Sequence, residues 1–312
     1  MTFLPFSVKV PATSANLGPG FDSLGIAIDM YQTVKVMPAD KWTVRYENVS
    51  HQHLSVNDDN LIMSTIRMIE ERFQMKALPA QLVVHSSIPL ARGMGSSAAA
   101  IAAGIEIADH LLTLNMTPHQ KVTIASEIEG HPDNVSAAIL GGITVSRFDN
   151  HELDMVSINS PDLSVVLMIP SEELSTILSR GALPEELHHK EAACSSAASN
   201  VMVAAILTND WITAGRMMEK DQFHEPYRTK WLHSFSEVRD IARSMGAYGS
   251  TISGAGPSIL ILCPNDKGEE LKKELTNSFS NYLCVLTKPS SEGITNTPFS
   301  EQNLTSVSTE KV

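Results

Sequence analysis

The chain has 312 residues, 43% hydrophobic and 19% charged, enough apolar material for a packed core in one large domain or two. Its 35 acidic and 23 basic side chains leave a formal charge of −12 with no Lys/Arg-rich run, which argues against nucleic acid and anionic lipid as partners. Three widely separated cysteines, Cys194, Cys263 and Cys284, form no CxxC pair, which argues against a disulfide framework or structural zinc and favours a reducing cytoplasm. The opening residues MTFLPFSVKV carry neither a basic leader nor a long apolar stretch. No run approaches the roughly 18 apolar residues of a membrane span, so a soluble, cytoplasmic chain is expected.

Strand patterns are expected over 6–10, 31–36, 42–46 and 81–85. Helical spacing of Leu61, Ile62, Ile66, Ile69 and Phe73 predicts a helix capped by Asn60. A glycine turn at 89–95 leads into an alanine-rich helix, and Thr117 with Pro118 opens another. After Gly141-Gly142 the pattern changes: a strand at 163–169, helices at 191–207, 211–218 and 231–245, strands at 248–253 and 258–263, a helix at 267–275 and a strand at 282–287. A domain boundary is expected near residue 155. From Pro289 onward nine of 24 residues are Ser or Thr, so 289–312 is expected to be a disordered tail.

The segment Pro89-Leu90-Ala91-Arg92-Gly93-Met94-Gly95-Ser96-Ser97-Ala98-Ala99 is the most informative. Gly93 and Gly95 let the backbone turn tightly and approach a ligand, and Ser96 and Ser97 stand where the long helix begins. Unpaired N–H groups and the positive end of the helix dipole suit a phosphate there. The Walker pattern GxxxxGK[ST] and the GxSxG nucleophile elbow are both absent. A serine-capped helix start with no ligand is the plainer reading of this segment alone. Two further glycine-rich stretches, PATSANLGPGFDSLG at 11–25 and STISGAGPS at 250–258, shift the balance towards a site.

These three stretches, in this order, resemble the three motifs of the GHMP kinases, and the resemblance spans residues 7 to about 288. Within that superfamily, PATSANLGPGFD, EGHPDNVSAAILGG and the spacing from Thr176 through Arg180 to Pro226-Tyr227-Arg228 are most similar to the homoserine kinase family. The resemblance implies an α+β, two-domain GHMP-kinase-like fold. An ATP-binding domain like ribosomal protein S5 domain 2 would occupy 1–155, and a ferredoxin-like domain 156–288. It also implies transfer of phosphate from ATP to the γ-hydroxyl of L-homoserine, with Mg²⁺, in threonine biosynthesis; a homodimer is allowed. Alternatives are another small-molecule kinase of the superfamily, or a binding protein that kept the fold and lost catalysis.

Homoserine is a zwitterion, so its site needs a cation for the carboxylate and an acceptor for the ammonium. Carried over from the family, Asn16, Asp22, Thr176, Arg180 and Arg228 are substrate contacts, with His131 and Asn134 along the same pocket. Arginine's planar fork suits a carboxylate. A surface arginine in a solvated loop, or an Asn/Asp fixing its own turn, is the plainer reading of each alone. The metal ligands implied are Ser97 (or Ser96) and Glu127, with Glu129 as the alternative carboxylate. Asn134, Glu127 and Arg180 form the expected catalytic set. Asn134 stands where mevalonate kinase-like relatives have a base, so no dedicated base is expected, and the hydroxyl proton passes late to the transferring phosphate. His188-His189 cannot chelate as an i, i+4 pair, and Asp221, His224 and Glu225 read as a solvated helix face.

Overall fold

A computed structural model describes residues 2–299 apart from 56–59 and 233. Strands β1 (Phe6–Ala15) and β2 (Leu24–Pro38) form a long antiparallel pair, shifted in register between Pro11 and Ala12. β3 (Thr43–Tyr46) follows, then helix α1 (Leu61–Arg72), whose Asn60 cap accepts the N–H groups of Ile62 and Met63 as expected. β4 (Ala80–Ser86) leads through the glycine turn into α2 (Ser96–Leu112). Next come α3 (Pro118–Glu129) and α4 (Asp133–Leu140). Thr117 and Gln120 close a reciprocal capping box on α3. β5 (Ile143–Asp149) and β6 (Glu152–Ile158) form a hairpin that pairs with β2, completing one side of the first sheet.

The expected boundary at 155 therefore falls inside a strand of the N-terminal sheet. The change of sheet comes between β6 and β7 (Ser164–Pro170). The second half continues with α5 (Thr176–Arg180), α6 (His189–Leu207), α7 (Trp211–Met218), α8 (Glu225–Arg228) and α9 (Phe235–Ser244). It closes with β8 (Gly249–Ile252), β9 (Ile259–Cys263), α10 (Gly268–Ser278) and β10 (Tyr282–Thr287). Strand order β10-β7-β9-β8, all antiparallel, with helices linking β7 to β8 and β9 to β10, is the ferredoxin-like β-α-β-β-α-β arrangement.

Alanine in α2 serves close packing. Ala98, Ala99, Ala102, Ala103 and Ala108 are buried, and at Gly104 an added Cβ would stand 2.8 Å from the Ile62 carbonyl of α1. Among the described residues no helix is long and apolar enough to cross a membrane.

The disordered tail is corrected over its first part. Residues 289–299 lie on the body, and β11 (Thr295–Pro298) pairs antiparallel with Phe6–Lys9 of β1. Ser290 is buried: its N–H donates to the Ala27 carbonyl at 2.9 Å and its own carbonyl accepts from Gly142 at 2.8 Å. Gly141 admits this strap, since a Cβ there would meet the Ser291 carbonyl at 2.5 Å. Backbone pairing satisfies polar groups whatever the side chains, which is how a Ser/Thr-rich segment comes to be ordered. Residues 300–312 lie outside the described residues. A chain ending at Lys288 is expected to melt at least about 5 °C lower, since it loses several backbone hydrogen bonds and orphans their buried partners. An unchanged melting temperature by calorimetry would show the strap contributes nothing.

Candidate active site

The three glycine-rich loops meet at one cavity between the two halves. Thr13 N–H donates to the Met94 carbonyl (3.2 Å), Gly254 N–H to the Ala15 carbonyl (3.2 Å) and Asn16 Nδ2 to the Gly254 carbonyl (3.1 Å). Ser253 Oγ lies 2.6 Å from the Gly93 carbonyl and 2.8 Å from Ser14 Oγ. The buried hydroxyl of Ser253, with these backbone and amide bonds, thus ties the first, second and third loops together.

Gly95 is the N-cap of α2, at φ +70°, and no side chain caps the helix. The first N–H groups of α2 therefore stand open to the cavity beside Ser96 and Ser97. Residues 89–97 line it except Leu90, which faces adjoining clefts; the side chains of Ala98 and Ala99 belong to the core. Arg92 is a clasp: its guanidinium donates to the carbonyls of Leu90 (2.7 Å), Pro170 (2.9 Å) and Ser171 (2.5 Å), fastening the loop to the end of β7. A Cβ on Gly95 would lie 1.9 Å from Thr13 Oγ1. Gly95→Val is therefore expected to displace the loop and abolish ATP binding in a folded protein. Unchanged ATP affinity by calorimetry would remove this loop from the phosphate site.

Opposite the α2 terminus stand the polar residues expected there: Asn16, Asp22, His131, Asn134, Thr176, Arg180 and Arg228 all line the same cavity. Their roles divide. Asn16 has both polar atoms engaged by the scaffold, Oδ1 accepting the Asp22 N–H at 3.0 Å and Nδ2 bonding Gly254. Asp22 takes a two-pronged ion pair from Arg180 (2.6 and 3.1 Å), which ties the first loop to α5. Ser179 Oγ donates to the Ala255 carbonyl at 2.7 Å, fixing α5 on the third loop with Thr176 facing the cavity.

Arg228 is only 2% exposed, and among the described residues no carboxylate pairs with it. One guanidinium nitrogen donates to the Gly254 carbonyl (3.0 Å) and to His224 Nδ1 (3.2 Å), while the buried Nε–H has no partner. Burial, and then the charge of Arg180, push its pKa down to about 10, still a cation at neutral pH. A buried, unpaired cation is costly unless an anion arrives. The Phe21 ring lies 5.5 Å from the Arg228 guanidinium and 5.6 Å from that of Arg180.

His131 Nδ1 lies 2.6 Å from Asp133 Oδ1, which also accepts the Asn134 N–H at 2.7 Å. Burial opposes charge on His131, but the hydrogen bond to Asp133 and its negative charge together outweigh it and raise the pKa. Thr13 Oγ1 donates to Asn134 Oδ1 at 2.9 Å and so sets that amide's orientation. Thr13, Phe21 and Asp133 were missed as site residues, although Thr13 lies within the first glycine-rich stretch and Phe21 and Asp133 adjoin Asp22 and Asn134.

Glu127 is the clear correction. Its carboxylate faces away from the cavity and pairs with Arg72 and, at 3.2 Å, with His151. Glu129 lines the cavity instead, accepting the Ser97 hydroxyl at 2.9 Å. Two positions on a helix differ by about 200°, so both cannot face one site.

Comparison with known proteins agrees with this geometry. The family models "GHMP kinases N terminal domain" and "GHMP kinases C terminal" match residues 60–142 and 202–281, so both halves of a GHMP kinase are present. A homoserine kinase of Bacillus pumilus is 44% identical over 289 residues, 93% of each chain. One of Bacillus cereus is 47% identical over 285 residues, 91% of this chain and 94% of the other. The solved homoserine kinase of Cytophaga hutchinsonii superposes with a TM-score of 0.82 at 28% identity, covering 95% of this chain and 98% of that one. The chain belongs to the homoserine kinase family of the GHMP kinases.

Proposed function

We propose that the chain transfers the terminal phosphoryl group of ATP to the γ-hydroxyl of L-homoserine, giving O-phospho-L-homoserine, as a cytoplasmic step of threonine biosynthesis. The observation that carries this reading is Arg228, a buried cation with an unpartnered Nε–H in a polar cavity that adjoins an open helix N-terminus. That pairing suits a small carboxylate-bearing alcohol on one side and a phosphate on the other.

Arg228, with Arg180, receives the α-carboxylate. Asp22 and Asp133 supply negative charge for the ammonium. Thr13 and Asn134 orient the hydroxyl towards the phosphate, and the N–H groups at the start of α2 hold the phosphate oxygens. Asp22 is committed to Arg180 through both oxygens, and Asp133 is engaged through Oδ1 by His131 and Asn134, so neither is assigned the role of base. The proton leaves with the transferring phosphate, in keeping with a reaction driven by positioning and charge neutralisation.

The donor set at Ser97 and Glu129 fits magnesium, a hard ion that takes a hydroxyl, one carboxylate and phosphate oxygens. Those two residues would hold Mg²⁺, which when bound offsets phosphate charge. A coupled ADP-release assay with L-homoserine, L-serine, mevalonate and galactose tests the assignment. Homoserine is expected to be preferred at least about a hundredfold over the substrates without its ammonium and carboxylate pair. Equal turnover of mevalonate would favour an isoprenoid-directed kinase instead.

A further inference from the structure

The segment expected to be a solvated helix face is buried: Asp221 and Glu225 are 7% exposed and His224 is fully enclosed. Asp221 accepts the N–H groups of Phe223, His224 and Glu225 (2.8, 3.0 and 2.6 Å), and so builds the turn that starts α8. His224 then touches two residues that line the substrate cavity, Phe21 and Arg228, and the backbone of the first loop at Gly18. Its Nε2 lies 3.0 Å from the Gly18 carbonyl of the first loop, its Nδ1 lies 3.2 Å from an Arg228 nitrogen, and its ring stacks on Phe21 at 5.5 Å.

The partners fix the tautomer. A guanidinium has only N–H donors, so Nδ1 must be the bare acceptor towards Arg228. A backbone carbonyl only accepts, so Nε2 must carry the hydrogen; Asp221 Oδ2, 3.3 Å from the same nitrogen, makes the same demand. An imidazolium would set N–H against N–H at Arg228. Burial, the largest influence, holds the imidazole below its ordinary pKa despite the charge of Asp221.

We propose that His224, with its proton on Nε2, is a positioning residue that aims the Arg228 guanidinium at the substrate carboxylate and keys it to the first loop through Gly18. The proposal rests on the reading of Arg228 as the carboxylate-binding group. It explains why a buried arginine donates to so few protein partners: one terminal nitrogen is anchored by His224 and Gly254, and among the described residues no carboxylate takes the rest of the guanidinium. Guanidinium recognition depends on planar alignment, so loss of the anchor weakens carboxylate capture without touching the phosphate side.

Full-length His224→Gln, His224→Asn, Arg228→Ala and Arg228→Ala/His224→Gln enzymes test this. Gln offers a donor near Gly18 and places no acceptor where Nδ1 stands; Asn keeps an acceptor there. His224→Gln is expected to raise KM for L-homoserine about tenfold, with KM for ATP within about twofold, and Asn to recover most of that loss. In the Arg228→Ala background the Gln change is expected to add less than about twofold, because the anchor has nothing left to hold. Equal rises in both KM values, or a full Gln effect persisting without Arg228, would make His224 a fold-holding residue and overturn the proposal. A normal homoserine KM in His224→Gln beside a raised one in Arg228→Ala removes the proposal alone. An unchanged KM in Arg228→Ala removes the carboxylate reading beneath it. If the Gln variant does not fold, side-chain ¹⁵N spectra of the unmutated protein decide: an Nε2–H tautomer supports the proposal, and Nδ1–H or imidazolium contradicts it.

Discussion

Replacing Glu129 by Gln is expected to lower turnover about a hundredfold or more, while Glu127→Gln changes it less than about threefold. Glu129 receives the Ser97 hydroxyl at the open end of α2, where a divalent ion bound to phosphate oxygens would sit. Gln keeps the shape and loses the charge, so magnesium affinity falls with rate, and raising the magnesium concentration partly restores activity. Glu127 is joined to Arg72 and His151 on the far side of α3, a half-exposed pair of the kind that contributes about 1 kcal/mol or less. Initial rates across a magnesium titration read both effects. A large loss in Glu127→Gln beside a mild one in Glu129→Gln would return the metal to the position first expected from the sequence.

Arg228→Ala is expected to cost on the order of 2–4 kcal/mol of substrate recognition, roughly thirty- to a thousand-fold in kcat/KM for L-homoserine. KM for ATP stays nearly unchanged, because Arg228 bonds His224 and Gly254 and makes no hydrogen bond to residues 89–97. Arg228→Lys rescues little, since a point charge does not reproduce the planar fork. Homoserine raises the melting temperature of the wild type and not of the Arg228→Ala protein, because a ligand stabilises only what binds it. Arg180→Ala is expected to lose affinity for a second reason, as Asp22 loses its two-pronged partner and the first loop its tie to α5. A normal kcat/KM in Arg228→Ala would sink the carboxylate assignment.

What could be read in the sequence was local. Asn60 and Thr117 cap their helices as expected because a cap needs only its own next three residues. The glycine turn at the start of α2 was legible because Gly95 holds a backbone angle that other residues resist, and the polar residues that line the cavity with it were named from the family resemblance. What failed depended on distant partners. The choice between Glu127 and Glu129 turns on the register in which α3 ends against α2. The strand Thr295–Pro298 has no apolar pattern, and its order comes from the edge of β1 and from the space left at Gly141. Asp221, His224 and Glu225 look like a charged surface until the first loop and Arg239 close over them.

The central claim is that this cavity phosphorylates an alcohol that it holds by its carboxylate. Phosphorus NMR of the full-length enzyme with ATP and magnesium tests it most directly, comparing L-homoserine with a carboxylate-free amino alcohol of the same chain length at equal concentration. The account predicts a growing phosphomonoester resonance of O-phospho-L-homoserine, and at least about thirtyfold slower transfer to the amino alcohol. Equal rates for the two alcohols, or ATP hydrolysis to free phosphate with no phosphomonoester formed, would contradict it.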